Sequence, residues 1–376
     1  MSADWLRPSG LQRSHKSSRM CLVVQLPAVA LRKNSLNTKY VTKKRLRRYS
    51  ISLALGAAVL VSSSQTISAS SFGFGSTLRE TVASIEARTG GHIGVSVTAL
   101  ESGQSWSHRG DERFPIASTF KAFSCGHLLA LADRDEVELD TRVRFDETDL
   151  QSYSPITKDR VGGSGMSLFE LCSATTSMSD NTAANLILRH TGGPLGFTTF
   201  MRSIGDAVTR LDRYEPELND VGPGEKRDTT TPRAAARSLE TLLLGDSLST
   251  DSREQLKAWL INNKVGGPLL RASLPESWKI ADRTGSGGYG SRGVIAVLWP
   301  QGSNAPTYEP VIVAVYLTGT TLTLEERDAT IAEVGAALVT DLEALKQHDG
   351  ITVVTRNLAD FFHTGVPTLN HWDEGL

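Results

Sequence analysis

The chain of 376 residues has room for one large or two smaller domains, and its 39% hydrophobic and 22% charged residues are the composition of a soluble globular protein. Its net charge of −1 conceals a split: residues 1–50 hold twelve Lys or Arg and one acid, Asp4, while the remainder carries 28 basic against 40 acidic residues. A folded body with that surplus of acid gives no electrostatic reason to expect nucleic-acid binding.

The first element is a leader. A charged segment, Lys43 to Arg48, precedes an uncharged apolar run from Ile51 to Val61 and small residues around Ala69, where a signal peptidase can cut. The run is too short to span a bilayer well. Residues 41–70 are therefore read as an export signal, with general secretion and twin-arginine export (Arg47, Arg48) both open, and the mature protein is expected to be periplasmic or secreted. No cysteine follows the run, which argues against a lipid-modified terminus. Residues 1–40 lie upstream of any ordinary signal peptide, so translation is expected to start later. Of three cysteines, Cys21 falls in the leader, whereas Cys125 and Cys172 lie in the body, where they either pair in an oxidising compartment or remain buried thiols.

Beyond the leader, Leu78, Val82 and Ile85 recur at helical spacing, and Gly90 and Gly91 stop the helix. His92–Leu100, a turn at Glu101–Gln104 and Ser105–Phe114 read as a hairpin. From Ser118 to about Leu274 the pattern is mostly helical. Three runs rich in branched residues follow, Ser277–Gly285, Gly293–Pro300 and Pro310–Gly319, and Thr323–Leu345 closes as an amphipathic helix. The economical arrangement is α+β, an antiparallel sheet built from both ends of the chain with a helical block inserted between them. The tail, residues 347–376, has no evident role.

Three short motifs carry chemistry. In "FPIASTFKAFSCG" (114–126), Lys121 lies three residues after Ser118 in an apolar run; on a helix beginning at Ser118 the amine lies one turn away, in reach of the hydroxyl. A serine is a poor nucleophile unless a base takes its proton, and a desolvated lysine of lowered pKa is such a base. Alternatively Ser118 is a helix cap and Lys121 reaches solvent. Ser179, Asp180 and Asn181 precede a helical run, as caps also do. In "ADRTGSGG", Arg283, Thr284 and Gly285 end a strand; this is either a glycine turn or a cationic cradle for a carboxylate.

Taken in order, SxxK, SDN and a basic residue with Thr-Gly resemble the serine penicillin-recognising enzymes. The loop "RYEPELNDVGPGEKRDTTTP" (213–232) is similar to the omega loop of class A β-lactamases. The resemblance covers residues 75–346 and implies a two-domain fold: a five-stranded antiparallel sheet flanked by helices (75–117 and 275–346) and an all-helical domain (118–274), with the site between them. It implies Ser118 as nucleophile, Lys121 and Glu215 as general bases, and Ser179 as the proton relay to the leaving nitrogen. Glu215 and Asn219 would hold the deacylating water, and the N–H groups of Ser118 and Ser286 the oxyanion. Tyr153, Asn181, Arg283, Thr284, Gly285, Ser286 and Arg292 would bind substrate, although Arg292 by itself reads equally as half of a structural salt bridge. Cys125–Cys172 would be a disulfide and Arg213–Asp228 the ion pair closing the loop.

Arg283, where most members carry lysine, resembles the carbenicillin-hydrolysing subgroup, and its planar fork suits a carboxylate. The implied activity is hydrolysis of penicillins, carboxypenicillins included, and of some cephalosporins, giving antibiotic resistance, by a monomer without cofactor. The rivals are a D-alanyl-D-alanine peptidase, which typically lacks the glutamate loop, and a β-lactam sensor domain, which needs a membrane segment. Eight histidines without an HxH pair speak against a zinc site.

Overall fold

The computed structural model describes residues 73–301 and 309–364. The leader, its proposed cleavage site and Cys21 lie outside them. In chain order come α1 (Ser76–Thr89), β1 (His92–Ala99), β2 (Gln104–His108), β3 (Phe114–Pro115) and α2 (Phe120–Ala132). There follow β4 (Arg142–Val143), β5 (Met166–Ser167), α3 (Leu168–Met178), α4 (Asn181–His190), α5 (Gly193–Ser203), β6 (Thr229–Thr230), α6 (Pro232–Leu243) and α7 (Thr250–Ile261). The chain closes with β7 (Lys279–Ser286), β8 (Arg292–Trp299), β9 (Val311–Thr318) and α8 (Leu324–Thr364).

Five strands form an antiparallel sheet in the order β2-β1-β9-β8-β7, so the two ends of the chain meet at the β1–β9 pairing. Its side chains alternate by two. Val313 and Val315 on β9, with Val294 and Ala296 on β8, face outward onto Leu78, Val82 and Ile85 of α1 and Ile331, Val334 and Leu338 of α8. Ile312, Ala314 and Tyr316, with Ile295 and Val297, face inward and share one core with the helices from α2 to α7.

Three expectations are revised. The segment 118–274 is not purely helical, since β4 pairs β5 within it and β6 pairs β3 across its border. Within that segment α6 lies directly on β1, β8 and β9, because its apolar stripe (Leu239, Leu242, Leu243) joins the core under the sheet. The last helix does not stop near Leu345 but continues to Thr364, past the expected boundary at residue 346.

Candidate active site

Ser118 sits in a single 3-10 turn, Ala117–Thr119, that leads into α2. The turn is fixed from both sides. Ala117 takes φ 41°, a conformation costly for a residue with a Cβ and held only by its surroundings. The Thr119 hydroxyl meets the Tyr316 hydroxyl of β9 at 2.9 Å. On the third side runs the end of β7: a Cβ added to Gly285 would fall 2.9 Å from Ser118 N, so only glycine permits this approach.

Lys121, the second residue of α2, is wholly buried, which removes the reading of a lysine that reaches solvent. Its ammonium donates to Asn181 Oδ1 (2.6 Å), Ser179 O (2.9 Å) and Ser179 Oγ (3.3 Å), and pairs with Glu215 Oε1 at 3.0 Å. No hydrogen bond joins it to Ser118. The Ser118 hydroxyl instead donates to Glu215 Oε1 at 3.4 Å. Burial lowers the Lys121 ammonium from 10.5 to about 8, while the carboxylate of Glu215 works against that fall.

Glu215 is brought there by the loop from Arg213 to Asp228, closed by the Arg213 Nε to Asp228 Oδ2 pair at 2.6 Å. Asp228 Oδ1 also accepts from the N–H groups of Asp212 (2.7 Å) and Arg213 (3.0 Å). Asn219 donates from Nδ2 to Glu215 Oε2 at 2.5 Å, and its buried Oδ1 has no protein donor. Sequence reasoning missed the residue that pins this loop. Asn185 donates to Glu215 O (2.8 Å) and accepts from Glu215 N (2.9 Å). It lies one turn after Asn181 on α4, and the signal was two asparagines four apart on a helix that is mostly Ala, Leu and Ile up to Leu188.

Asp180 is the α4 cap, accepting from Ala183 N at 2.9 Å, as the bland reading held. It also accepts from Ile156 N and Thr157 N, both at 2.9 Å, and the Asn181 N–H donates to Tyr153 O at 2.8 Å, so this one turn positions the Tyr153 segment. Ser179 adopts φ 62° at the end of α3 and receives a short hydrogen bond from Arg283 Nη2.

Ser118, Tyr153, Ser179, Asn181, Asn219, Thr284, Gly285, Ser286 and Arg292 line one cleft of about 430 Å³. Val265, Leu324 and Asp328, unforeseen from the sequence, complete it. Arg283 does not line it. The guanidinium is sealed behind Ser179 at 0% exposure, with Nε and Nη1 unpaired, and burial lowers it to about 10. The expectation of a fork gripping a carboxylate is thus revised, since alternation along β7 turns Thr284, not Arg283, to the cleft. Both readings of Arg292 hold together: Nε pairs with Asp328, Nη1 donates to Gly285 O at 3.0 Å, and the residue faces the cleft. Cys125 and Cys172 form the disulfide that joins α2 to α3.

A five-stranded sheet, a helical domain against its inner face, and a cleft at their junction lined by Ser118, with the buried Lys121–Glu215 pair behind it, define a serine-hydrolase architecture. The comparisons agree. Residues 77–342 match the β-lactamase enzyme family. The chain is 46% identical over 261 residues to β-lactamase AER-1 of Aeromonas hydrophila, covering 69% of this chain and 84% of the relative. It is 43% identical over 254 residues to β-lactamase CARB-4 of Pseudomonas aeruginosa, covering 68% and 86%. Among solved structures, the last common ancestor of Gram-negative bacteria class A β-lactamase (GNCA4) superposes with TM-score 0.68 at 50% identity, covering 71% of this chain and 99% of that one. The chromosome-encoded β-lactamase of Vibrio parahaemolyticus gives 0.67 at 45%, covering 70% and 98%. The chain belongs to the β-lactamase enzyme family and is a class A β-lactamase.

Proposed function

We propose that the protein hydrolyses penicillins, carboxypenicillins included, and some cephalosporins through an acyl-enzyme on Ser118. The observation that carries this reading is the buried junction at Glu215 Oε1, which receives the Ser118 hydroxyl at 3.4 Å and the Lys121 ammonium at 3.0 Å while Asn219 holds Oε2. Glu215 takes the serine proton as Ser118 attacks the β-lactam carbonyl. The Lys121 ammonium stabilises that carboxylate and, once deprotonated, takes the same role. Ser179, hydrogen-bonded by Lys121, passes a proton to the departing nitrogen. The N–H groups of Ser118 and Ser286 receive the oxyanion, each such donor contributing on the order of 100-fold to 1000-fold in rate.

Deacylation separates this function from that of a peptidase or sensor. Glu215 and Asn219 orient the water that cleaves the ester. Asn181 binds the side-chain amide of the substrate beneath Tyr153. Thr284, Ser286 and Arg292 receive its ring carboxylate, while Arg283 contributes its charge from behind Ser179 and holds that hydroxyl in place. The positive charge of Arg292 at the cleft, with that of Arg283 buried behind Ser179, favours dianionic carboxypenicillins. Residues 41–70 export the chain to the periplasm or medium, where the Cys125–Cys172 disulfide persists, and the mature protein is a monomer.

The test is Glu215→Ala mixed with benzylpenicillin. Intact-mass measurement is expected to show a stoichiometric penicilloyl adduct, whereas the unaltered chain consumes many equivalents. Near-normal turnover by the variant removes the assignment of Glu215. A halt of the unaltered chain after one equivalent makes it a penicillin-binding peptidase or sensor.

A further inference from the structure

A cavity larger than the catalytic cleft does not contain Ser118. It measures about 770 Å³ and lies on the far side of the 213–228 loop. Its walls are apolar: Phe114 and Pro115 of β3, Val221 and Pro223 of the loop, and Tyr289 from the β7–β8 turn. Four charges stand at its rim. Both acids meet arginines, Glu225 pairing with Arg227 at 2.6 Å and Glu112 with Arg109 at 2.9 Å, a guanidinium that Glu112 shares with Glu86. The two cations have no such pairing among the described residues. Arg113 donates only to Val208 O (3.1 Å) and the Thr229 hydroxyl (2.9 Å), and Lys226 makes no ion pair among the described residues. Burial pushes the Arg113 guanidinium below its ordinary value, and the nearby Arg210 and Arg202 add to the fall while Asp206 opposes it.

An apolar chamber with unmatched positive charge at its mouth suits an amphiphilic anion. We propose that this cavity is a second ligand site, for a small aromatic carboxylate whose ring lies among Pro115, Val221 and Tyr289 and whose carboxylate meets Arg113 and Lys226. The site touches the reaction through backbone. Val221 follows Asn219 by two residues, Gly288 N donates to Asn219 O at 2.9 Å, and Gly319 N donates to Tyr289 O at 2.8 Å. A Cβ on Gly222 would meet the Tyr289 ring at 3.3 Å, so loop and turn are in close contact. An occupant therefore biases the position of Asn219 and with it deacylation, a coupling that rests on the role given above to Glu215 and Asn219.

The probe is 2-naphthoate, titrated into the full chain by calorimetry. Saturable binding on the order of a millimolar or tighter is expected for a ligand of this size. Lys226→Glu, on the surface, is expected to weaken it about tenfold, and Arg292→Ala in the catalytic cleft to leave it unchanged. Absence of saturable binding, or loss with Arg292→Ala but not Lys226→Glu, overturns the site. A second readout is benzylpenicillin turnover at saturating naphthoate, expected to change by about twofold or more in the unaltered chain and not in Lys226→Glu. Binding without a rate change overturns the coupling alone, and a chain that never turns over benzylpenicillin defeats the catalytic reading while the calorimetry still decides the site.

Discussion

Replacing Asn185 by Leu, a somewhat larger side chain with the same branch at Cγ, removes both hydrogen bonds that hold the backbone of Glu215 and touches no group in the cleft. Asn185 and Glu215 are 3% and 2% exposed, so the freed N–H and C=O have no ready access to water. An orphaned buried polar group costs about 1–3 kcal/mol, and two of them about 2–6 kcal/mol in favour of a displaced loop. With each 1.4 kcal/mol or so a factor of ten, the fraction of molecules holding Glu215 and Asn219 in place falls roughly 10-fold or more. Deacylation carries that loss. The expected signature is a fall in kcat and KM together, with kcat/KM less affected, and a steady-state penicilloyl adduct visible by intact mass although Glu215 itself is present. A circular-dichroism melt confirms that the variant is folded. A folded variant with kcat within about twofold of the parent and no adduct refutes the argument that Asn185 positions the base.

Three further outcomes follow from the same geometry. Because the folded Lys121 titrates near 8, the acylation rate is expected to rise with pH through that value in stopped-flow measurements; in Glu215→Gln, which removes the carboxylate that raises it, the midpoint moves lower. A midpoint that stays put would separate Lys121 from the serine proton. His127 on α2 is 7% exposed, stacked 4.5 Å from the Phe200 ring with Nδ1 unpaired, facing the fields of Arg134 and Glu136, and burial lowers it from 6.5 to about 4. The folded state then binds fewer protons than the unfolded between those values, so stability is full above pH 6.5 or so and drops by up to about 3 kcal/mol as pH falls toward 4. His127→Phe is expected to flatten that part of the urea-unfolding profile against pH. Reduction of Cys125–Cys172, which spans 47 residues, is expected to cost about 4 kcal/mol by loop entropy, read as a lower urea midpoint; an unchanged midpoint denies the bridge a stabilising role.

Much of the fold was legible because it rests on short-range periodicity. The i, i+4, i+7 set Leu78, Val82, Ile85, the branched apolar run Val311–Thr318 and the glycine stops at Gly90 and Gly91 are properties of a helix or strand considered alone. The candidate site was legible through order and spacing of motifs, which name Ser118, Lys121, Ser179, Asn181, Glu215 and Asn219 without saying which atom faces which. Asn185 escaped because its spacing from Asn181 does not say which backbone it meets, and Asp328 because an acid in the charged turn Glu325–Asp328 reads as solvated.

The amino-acid order by itself determined the elements, the inserted helical block and the reactive residue types. Only the tertiary structure decided that the Ser118 hydroxyl points to Glu215 and not to Lys121, that Arg283 is sealed behind Ser179 while Thr284 and Arg292 face the cleft, and that α6 packs under the sheet. Each of these depends on contacts between residues far apart in the chain: Ser118 and Glu215 lie 97 positions apart, and Ser179 and Arg283 lie 104. Local patterns fix a backbone segment; the direction in which a buried polar side chain turns is set by the partner that satisfies it, and packing supplies that partner.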